Sequence, residues 1–320
     1  MFRSARLGLR TSSRNCVESL SLARLGHSTD SAAEELQTST LLVKCPDAKG
    51  IAAALYQVMY DNHCNIVRSD HFTDTAGWTF FQRLCFKLPS TDVASIDSAI
   101  NKLAQTWRMD YTLQHEKART KVAVLVSKMD HCLWDLLIRH RQGELKCDLN
   151  VIVSNHPDLE HVAQAFNIDF VCIAQPTAPK EKRKQQMESM LEDILHEKGT
   201  ELIIMARYMQ ILSDKFCSRH AEHTINIHHS FLPAFVGAKP YHKAFERGVK
   251  VIGATAHYAT TDLDAGPIIE QGVTRITHRD SVEDMIREGR DLERVVLARA
   301  VRWHLENRVM VYGNKTVVFN

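Results

Sequence analysis

The spacing of apolar positions changes character partway along the chain. Between Thr40 and Leu113 it switches between a period near two and a period near 3.6; after Lys121 it condenses into short unbroken runs. Thr40 to Cys45 reads as a strand, and Pro46-Asp47-Ala48-Lys49-Gly50 as a turn. A helix follows with Ile51, Leu55, Val58 and Met59 on one face. Asn65-Ile-Val opens a strand, and Trp78 to Lys87 another, with Trp78, Phe80, Leu84 and Phe86 on one face and Gln82 as the polar exception. Ile96, Ile100, Leu103 and Trp107 mark a second helix, and Met109, Tyr111 and Leu113 a closing strand. The predicted order is βαββαβ.

From Lys121 the runs Val122 to Val126, Leu149 to Val153, Phe170 to Ile173 and Leu202 to Met205 are separated by amphipathic stretches of helix length. That alternation predicts a mostly parallel sheet with crossover helices, joined to the first module by a linker at Glu116 to Thr120. Pro179 starts a charged helix through Leu195, read as a solvated face. Ser281-Val-Glu-Asp284 has the form of a capping box for a long helix bearing Leu292, Val295, Val296 and Trp303. Met310 to Phe319, around Gly313-Asn314, reads as a closing hairpin.

Composition narrows the partners. A net charge of +2 with 44% apolar residues points to a small-molecule ligand and not to nucleic acid, and no apolar run is long enough to span a bilayer. The eight cysteines are scattered without a C-x-x-C pair, as reduced thiols are; Cys45, Cys85 and Cys172 fall in strand-like segments. Arg3, Arg6, Arg10, Arg14 and Arg24 lie among serines with Glu18 the only acid before Asp30. Residues 1–36 therefore read as a mitochondrial matrix-targeting leader, the alternative being a basic tail.

Chemistry concentrates between Ile225 and Gln271. In Thr224-Ile-Asn-Ile-His228, Asn226 and His228 are two apart and share one side of a strand. Val249 to His257 is a further strand, and the loop after it carries Asp262 and Asp264. An amide, an imidazole and a carboxylate around one carbonyl suit formyl or acyl transfer. His220, His223, His228 and His229 lack zinc spacing, so no metal is expected. Lys239, Tyr241 and His242 form a basic-aromatic loop, either covering the site and meeting an acidic ligand tail or simply lying on the surface.

Two resemblances sharpen this reading. C-P-D-A-K-G, N-I-V and T-D-T-A-G-W-T-F-F-Q-R, within residues 39–118, resemble the ACT family of regulatory domains, which have a ferredoxin-like fold. That implies an amino-acid effector, glycine or methionine, at Asp47, Gly50 and Ile51, or a purely structural pairing module, in a homodimer or homotetramer. N-I-H-H-S-F-L-P-A-F, G-A-T-A-H-Y and T-D-L-D-A-G-P-I-I, within residues 121–320, resemble folate-dependent formyltransferases, most closely the 10-formyltetrahydrofolate deformylases.

The second resemblance implies a Rossmann-like α/β domain with Asn226, His228 and Asp264 catalytic and His257 and His229 supporting. Tyr208, Met209, Ile211, Leu212, Thr260 and Asp262 would bind the folate. Where transferases acting on glycinamide ribonucleotide carry a glycine-rich phosphate turn, this chain has Ser127-Lys128-Met129-Asp130-His131-Cys132. The expectation is hydrolysis of 10-formyltetrahydrofolate by water, in one-carbon metabolism linked to purine biosynthesis, without a tightly bound cofactor. The alternatives are formyl transfer to an amine and a non-catalytic folate or amino-acid sensor.

Overall fold

The computed structural model describes residues 36–115, 119–173, 179–235, 237 and 239–320. Leu36 to Asn320 form one compact unit built on two larger sheets and a two-stranded hairpin. The first module runs β1 (Leu36–Pro46), α1 (Ile51–Asp61), β2 (Asn65–Asp74), β3 (Thr79–Pro89), α2 (Val93–Trp107) and β4 (Asp110–His115). Its strands lie in the order β2-β3-β1-β4, every pairing antiparallel, which is the ferredoxin-like βαββαβ arrangement. Ile51, Leu55 and Met59 of α1 and Ile96 and Ile100 of α2 pack on Leu41, Leu84 and Phe86.

Both faces of this small sheet are covered, which accounts for the polar exceptions on β3. Gln82 faces the helices and donates to Tyr56 Oη and Ser69 Oγ. Arg83, on the other face, is buried and donates to the carbonyls of Glu306 (2.9 Å) and Asn307 (2.7 Å). Phe81 and Leu42 meet Phe319 on that same face. Trp78 departs from expectation. The Asp74 carboxylate accepts from the N–H groups of Ala76 and Gly77, so Trp78 is still in the turn, at φ 46° and 66% exposed, and not on the apolar face. β1 also begins at Leu36, before the expected boundary.

The second sheet uses β5 (Thr120–Val126), β6 (Cys147–Ser154), β7 (Phe170–Cys172), β8 (Leu202–Met205), β9 (Thr224–His228), β10 (Val251–Tyr258) and β11 (Ile268–Arg275), in the order β11-β10-β9-β8-β5-β6-β7. β9 to β7 run parallel; β10 and β11 are antiparallel. The helices are α3 (His131–Arg141), α4 (Glu160–Ala165), α5 (Lys180–Lys198), α6 (Asp214–Arg219), α7 (Pro240–Arg247) and α8 (Val282–Leu305), and β12 (Val309–Tyr312) with β13 (Lys315–Val318) makes the closing hairpin.

Alternation along β5 divides its side chains between two cores. Val122, Val124 and Val126 pack under α3 and α8, whereas Ala123 and Leu125 pack under α5. α8 carries the expected capping box, Ser281 Oγ accepting from the Asp284 N–H while Asp284 Oδ2 accepts from the Ser281 N–H. The segment 239–242 is not a loop: Pro240 sits at the start of α7 and Tyr241 is buried. The seven described cysteines are free thiols, and Cys172, at the end of edge strand β7, is exposed and not a core residue. Among the described residues no helix is long and apolar enough to cross a membrane.

Candidate active site

The alternation on β9 sends Ile225 and Ile227 into the core and leaves Asn226 and His228 on the opposite face. Because β10 runs antiparallel, His257 pairs opposite Asn226 and Thr255 opposite His228. His257 is therefore beside the middle of β9, and not at a parallel strand's carboxyl end. The turn following β9 is pinned from β10 and β11: the Leu232 N–H donates to Thr255 Oγ1, which donates to the Ser230 carbonyl, and Gln271 Nε2 donates to the Leu232 carbonyl.

The expected trio comes together. His228 Nδ1 is 3.2 Å from Asp264 Oδ1, and Asn226 Nδ2 is 3.1 Å from His257 Nε2. His257 Nε2 is 3.9 Å from Asp264 Oδ1, so its nearer partner is the amide and not the carboxylate loop. Its Nδ1–H donates to the Tyr258 carbonyl at 2.9 Å, which leaves the Nε2 lone pair to accept from Asn226. That contact fixes which way the Asn226 amide faces and leaves its second N–H available. His228 Nε2 is buried without a partner among the described residues.

These groups line a cavity of about 280 Å³ together with Arg207, Tyr208, Met209, Ile211, Leu212, Thr260 and Asp262. A second cavity of about 550 Å³ shares the wall from Tyr208 to Leu212 and is flanked by Arg183 and Lys184 of α5. Tyr208 is core, but Met209 and Ile211 are 59% and 62% exposed, an apolar lip at the mouth. Arg207, Met209 and Asp264 all have positive φ, strained backbone gathered at one cavity.

The electrostatics assign protonation states. Burial pushes the Asp264 carboxyl up, but the hydrogen bond from His228, with the imidazoles gathered around it, outweighs burial and holds it below the ordinary range. Asp264 is a carboxylate, with no near-neutral pKa of its own. Burial lowers His257, which stays neutral. Burial, followed by the charge of Arg207, brings His229 down to about 4. His229 does not turn away from His228, as strand alternation predicts: β9 ends at His228, and the two rings lie 5.1 Å apart between centroids.

Sequence reading missed a cluster behind this cavity. Glu293 of α8, 1% exposed, accepts from His131 Nε2 (2.8 Å) and Tyr241 Oη (2.9 Å) and lies 3.4 Å from Arg207 Nη1. The signal was available: Met285, Gly289, Glu293, Leu297 and Ala300 fall on one buried stripe, and an acid on that stripe needs a partner. The imagined histidine metal cluster is dispersed, with His220 on Glu192 and His228 on Asp264. Among the described residues, His131, Cys132 and Glu293 converge as metal ligands could. A guanidinium already neutralises that carboxylate, and burial pushes the Cys132 thiol well up, against the thiolate a metal requires.

Comparison with known proteins places these features in a family. Residues 120–301 match the model described as "Formyl transferase". The chain is 49% identical over 284 residues to a formyltetrahydrofolate deformylase of Synechocystis sp., covering 88% of this chain and 98% of that protein. It is 44% identical over 283 residues to one of Bacillus subtilis, covering 88% and 93%. The crystal structure of a formyltetrahydrofolate deformylase from Pseudomonas syringae superposes with a TM-score of 0.84 at 41% identity, covering 89% of this chain and 95% of that one. Glycinamide ribonucleotide transformylase 1 from Symbiobacterium toebii gives 0.60 at 28% identity, covering 65% and 98%. One expectation is overturned here. These curated relatives are bacterial proteins, from cells without mitochondria, so the mitochondrial placement is withdrawn; of the expected leader 1–36, residues 1–35 lie outside the described residues and Leu36 opens β1.

Proposed function

We propose, from the premise that the chain belongs to the formyltetrahydrofolate deformylase family, that it hydrolyses 10-formyltetrahydrofolate to formate and tetrahydrofolate. The observation that carries the reading is the meeting of Asn226, His228, His257 and Asp264 on one cavity. Both imidazole contacts of Asp264 fall on Oδ1, which leaves Oδ2 to hold a water. That water attacks the formyl carbon as it gives up a proton to the Asp264 carboxylate, and the proton returns to solvent after the products form. The free N–H of Asn226 donates to the developing oxyanion, and His228, its Nδ1–H held by Asp264, carries a proton on Nε2 to the folate nitrogen as the carbon–nitrogen bond breaks. Nucleophile and proton transfers come from solvent and side chains, so the reaction needs no tightly bound cofactor.

Tyr208, Met209, Ile211 and Leu212, with Thr260 and Asp262 opposite, form the folate site, their exposed apolar groups packing on the pterin. His257 orients Asn226, and His229 backs His228. Residues 39–118 serve as an ACT regulatory domain and 121–320 as the catalytic domain, with the hydrolysis in one-carbon metabolism upstream of purine biosynthesis. In the regulatory domain Gly50 adopts φ 100° before α1, and the Asp47 N–H is held by the Trp78 carbonyl, a rigid turn that suits glycine or methionine at Asp47, Gly50 and Ile51. Pairing of such domains gives a homodimer or homotetramer.

The deciding experiment incubates the purified protein with 10-formyltetrahydrofolate and no amine. Stoichiometric formate and tetrahydrofolate are expected. Turnover only when an amine acceptor is added overturns the proposal in favour of a transferase.

A further inference from the structure

An open α/β sheet receives ligands at the carboxyl ends of its strands, where the strand order reverses. Here that point lies between β5 and β8: β6 and β7 extend from one side of β5, and β8 and β9 from the other. α3 packs on one face of the sheet and α5 on the other, so the crevice opens between them. Its contents are unusual. His131, the first residue of α3 after β5, and Arg207, just after β8, both reach the Glu293 carboxylate, and Tyr241 joins from α7.

Three details mark this filling as built in. Arg207 holds a left-handed backbone (φ 67°) that an L side chain adopts only at a cost, so its side chain has a reason to be there. Gly289, one turn before Glu293, is bare where a Cβ would fall 1.9 Å from Tyr241 Oη; only glycine lets that hydroxyl pass. Arg207 lines the catalytic cavity while Glu293, His131 and Tyr241 do not, so the arginine is the face that the cluster turns toward the trio.

We propose that this cluster occupies the place of a formyl-accepting substrate, with Arg207 as the specificity-determining residue that leaves water as the acceptor. The inference rests on the hydrolase reading and deepens it. With the wall removed, a small primary amine enters: its nitrogen bonds to the formyl carbon, the carbon–nitrogen bond to folate breaks, and the proton lost by the amine passes to the folate nitrogen.

The test supplies full-length enzyme with 13C-formyl-labelled 10-formyltetrahydrofolate and glycinamide, and measures labelled formylglycinamide against labelled formate. Wild type and Arg207→Lys, which keeps the cation, should give formate almost alone. Arg207→Ala should raise the amide-to-formate ratio about tenfold or more. The double variant Arg207→Ala/Glu293→Gln should do the same without leaving a buried unpaired charge, and it carries the test if the single variant fails to fold. A ratio is insensitive to loss of folded enzyme, so general damage does not mimic the result. An unchanged ratio in a variant that still turns over refutes the inference, as does a folded variant that makes neither product. Wild-type enzyme that releases no formate without glycinamide instead refutes the hydrolase reading itself.

Discussion

Asp264, half-buried, and Glu293, fully buried, are both carboxylates held below the ordinary carboxylate range, yet they are built for opposite ends. Asp264 sits on a loop at φ 56°, lines the cavity and is engaged through one oxygen. Glu293 sits inside a helix, faces no solvent and is engaged through both oxygens. The first keeps an acceptor site for a water, whereas the second has none to offer. Removing charge should separate them. Asp264→Asn should lower kcat for formate release by roughly 10²–10⁴-fold with little change in folate affinity. Glu293→Gln should instead lower unfolding stability by about 3 kcal/mol, because Arg207 is left buried without its counter-ion. Equal losses of kcat and stability in both variants would erase the contrast.

A neutral substitution probes the closed cluster from another side. In Gly289→Ala the new methyl meets Tyr241 Oη, the buried end of a rigid ring, and either the hydrogen bond to Glu293 or the packing of α7 on α8 must give way. Urea denaturation should show a loss of about 1–3 kcal/mol. The Asp264 side, which Gly289 does not touch, should keep its folate affinity.

Lower pH should strain both regions. His229 and His304 are brought to about 4, mainly by burial, against about 6.5 in an unfolded chain. Between those values the unfolded chain binds more protons, so stability is whole above pH 6.5 and declines as pH falls toward 4, by at most about 1.4 kcal/mol per pH unit for each histidine. Asp264 and Glu293 act in the same direction lower down: their contribution, present above the unfolded carboxylate range, is lost as pH falls through it. A melting temperature flat from pH 7 to 4 would contradict these neutral imidazoles. His304→Gln, which removes the partner of Tyr258 Oη at 2.8 Å, should flatten part of the slope and leave the His229 part intact.

The Asp264 side was legible in the sequence and the Glu293 side was not, for physical reasons. Asn226, His228, His257 and Asp264 lie close together in sequence, the first three as polar residues in apolar strands, where they announce themselves. Arg207, Glu293 and His131 come from three distant segments, and R-D-L-E-R reads as an ordinary charged helix surface until Met285, Gly289 and Ala300 show that Glu293 shares their stripe. Periodicity also carries no direction. The run Val249 to His257 predicts a strand, but only the fold shows that it runs against β9 and so puts His257 beside Asn226. In the small sheet, Gln82 reads as a break in a pattern because sequence does not show that Tyr56 and Ser69 would receive its amide, nor that the carbonyls of Glu306 and Asn307, just past α8, would receive Arg83 on the other face.

The mildest test addresses the helix that holds Glu293. The Ser281 side chain closes the first turn of α8 by accepting from Asp284 N–H at 3.2 Å, and Asp284 returns the bond to Ser281 N–H at 3.0 Å. Ser281→Ala removes one half of this reciprocal pair and should destabilise the protein by about 1 kcal/mol. Glu293 lies three turns further on, anchored by its own three partners, and fraying of the first turn does not reach it. The amide-to-formate ratio should therefore stay at the wild-type value although stability falls. If the ratio rises in Ser281→Ala as it does in Arg207→Ala, product choice follows the overall rigidity of α8 and not the filled crevice, and the contrast between the two carboxylates loses its chemical meaning.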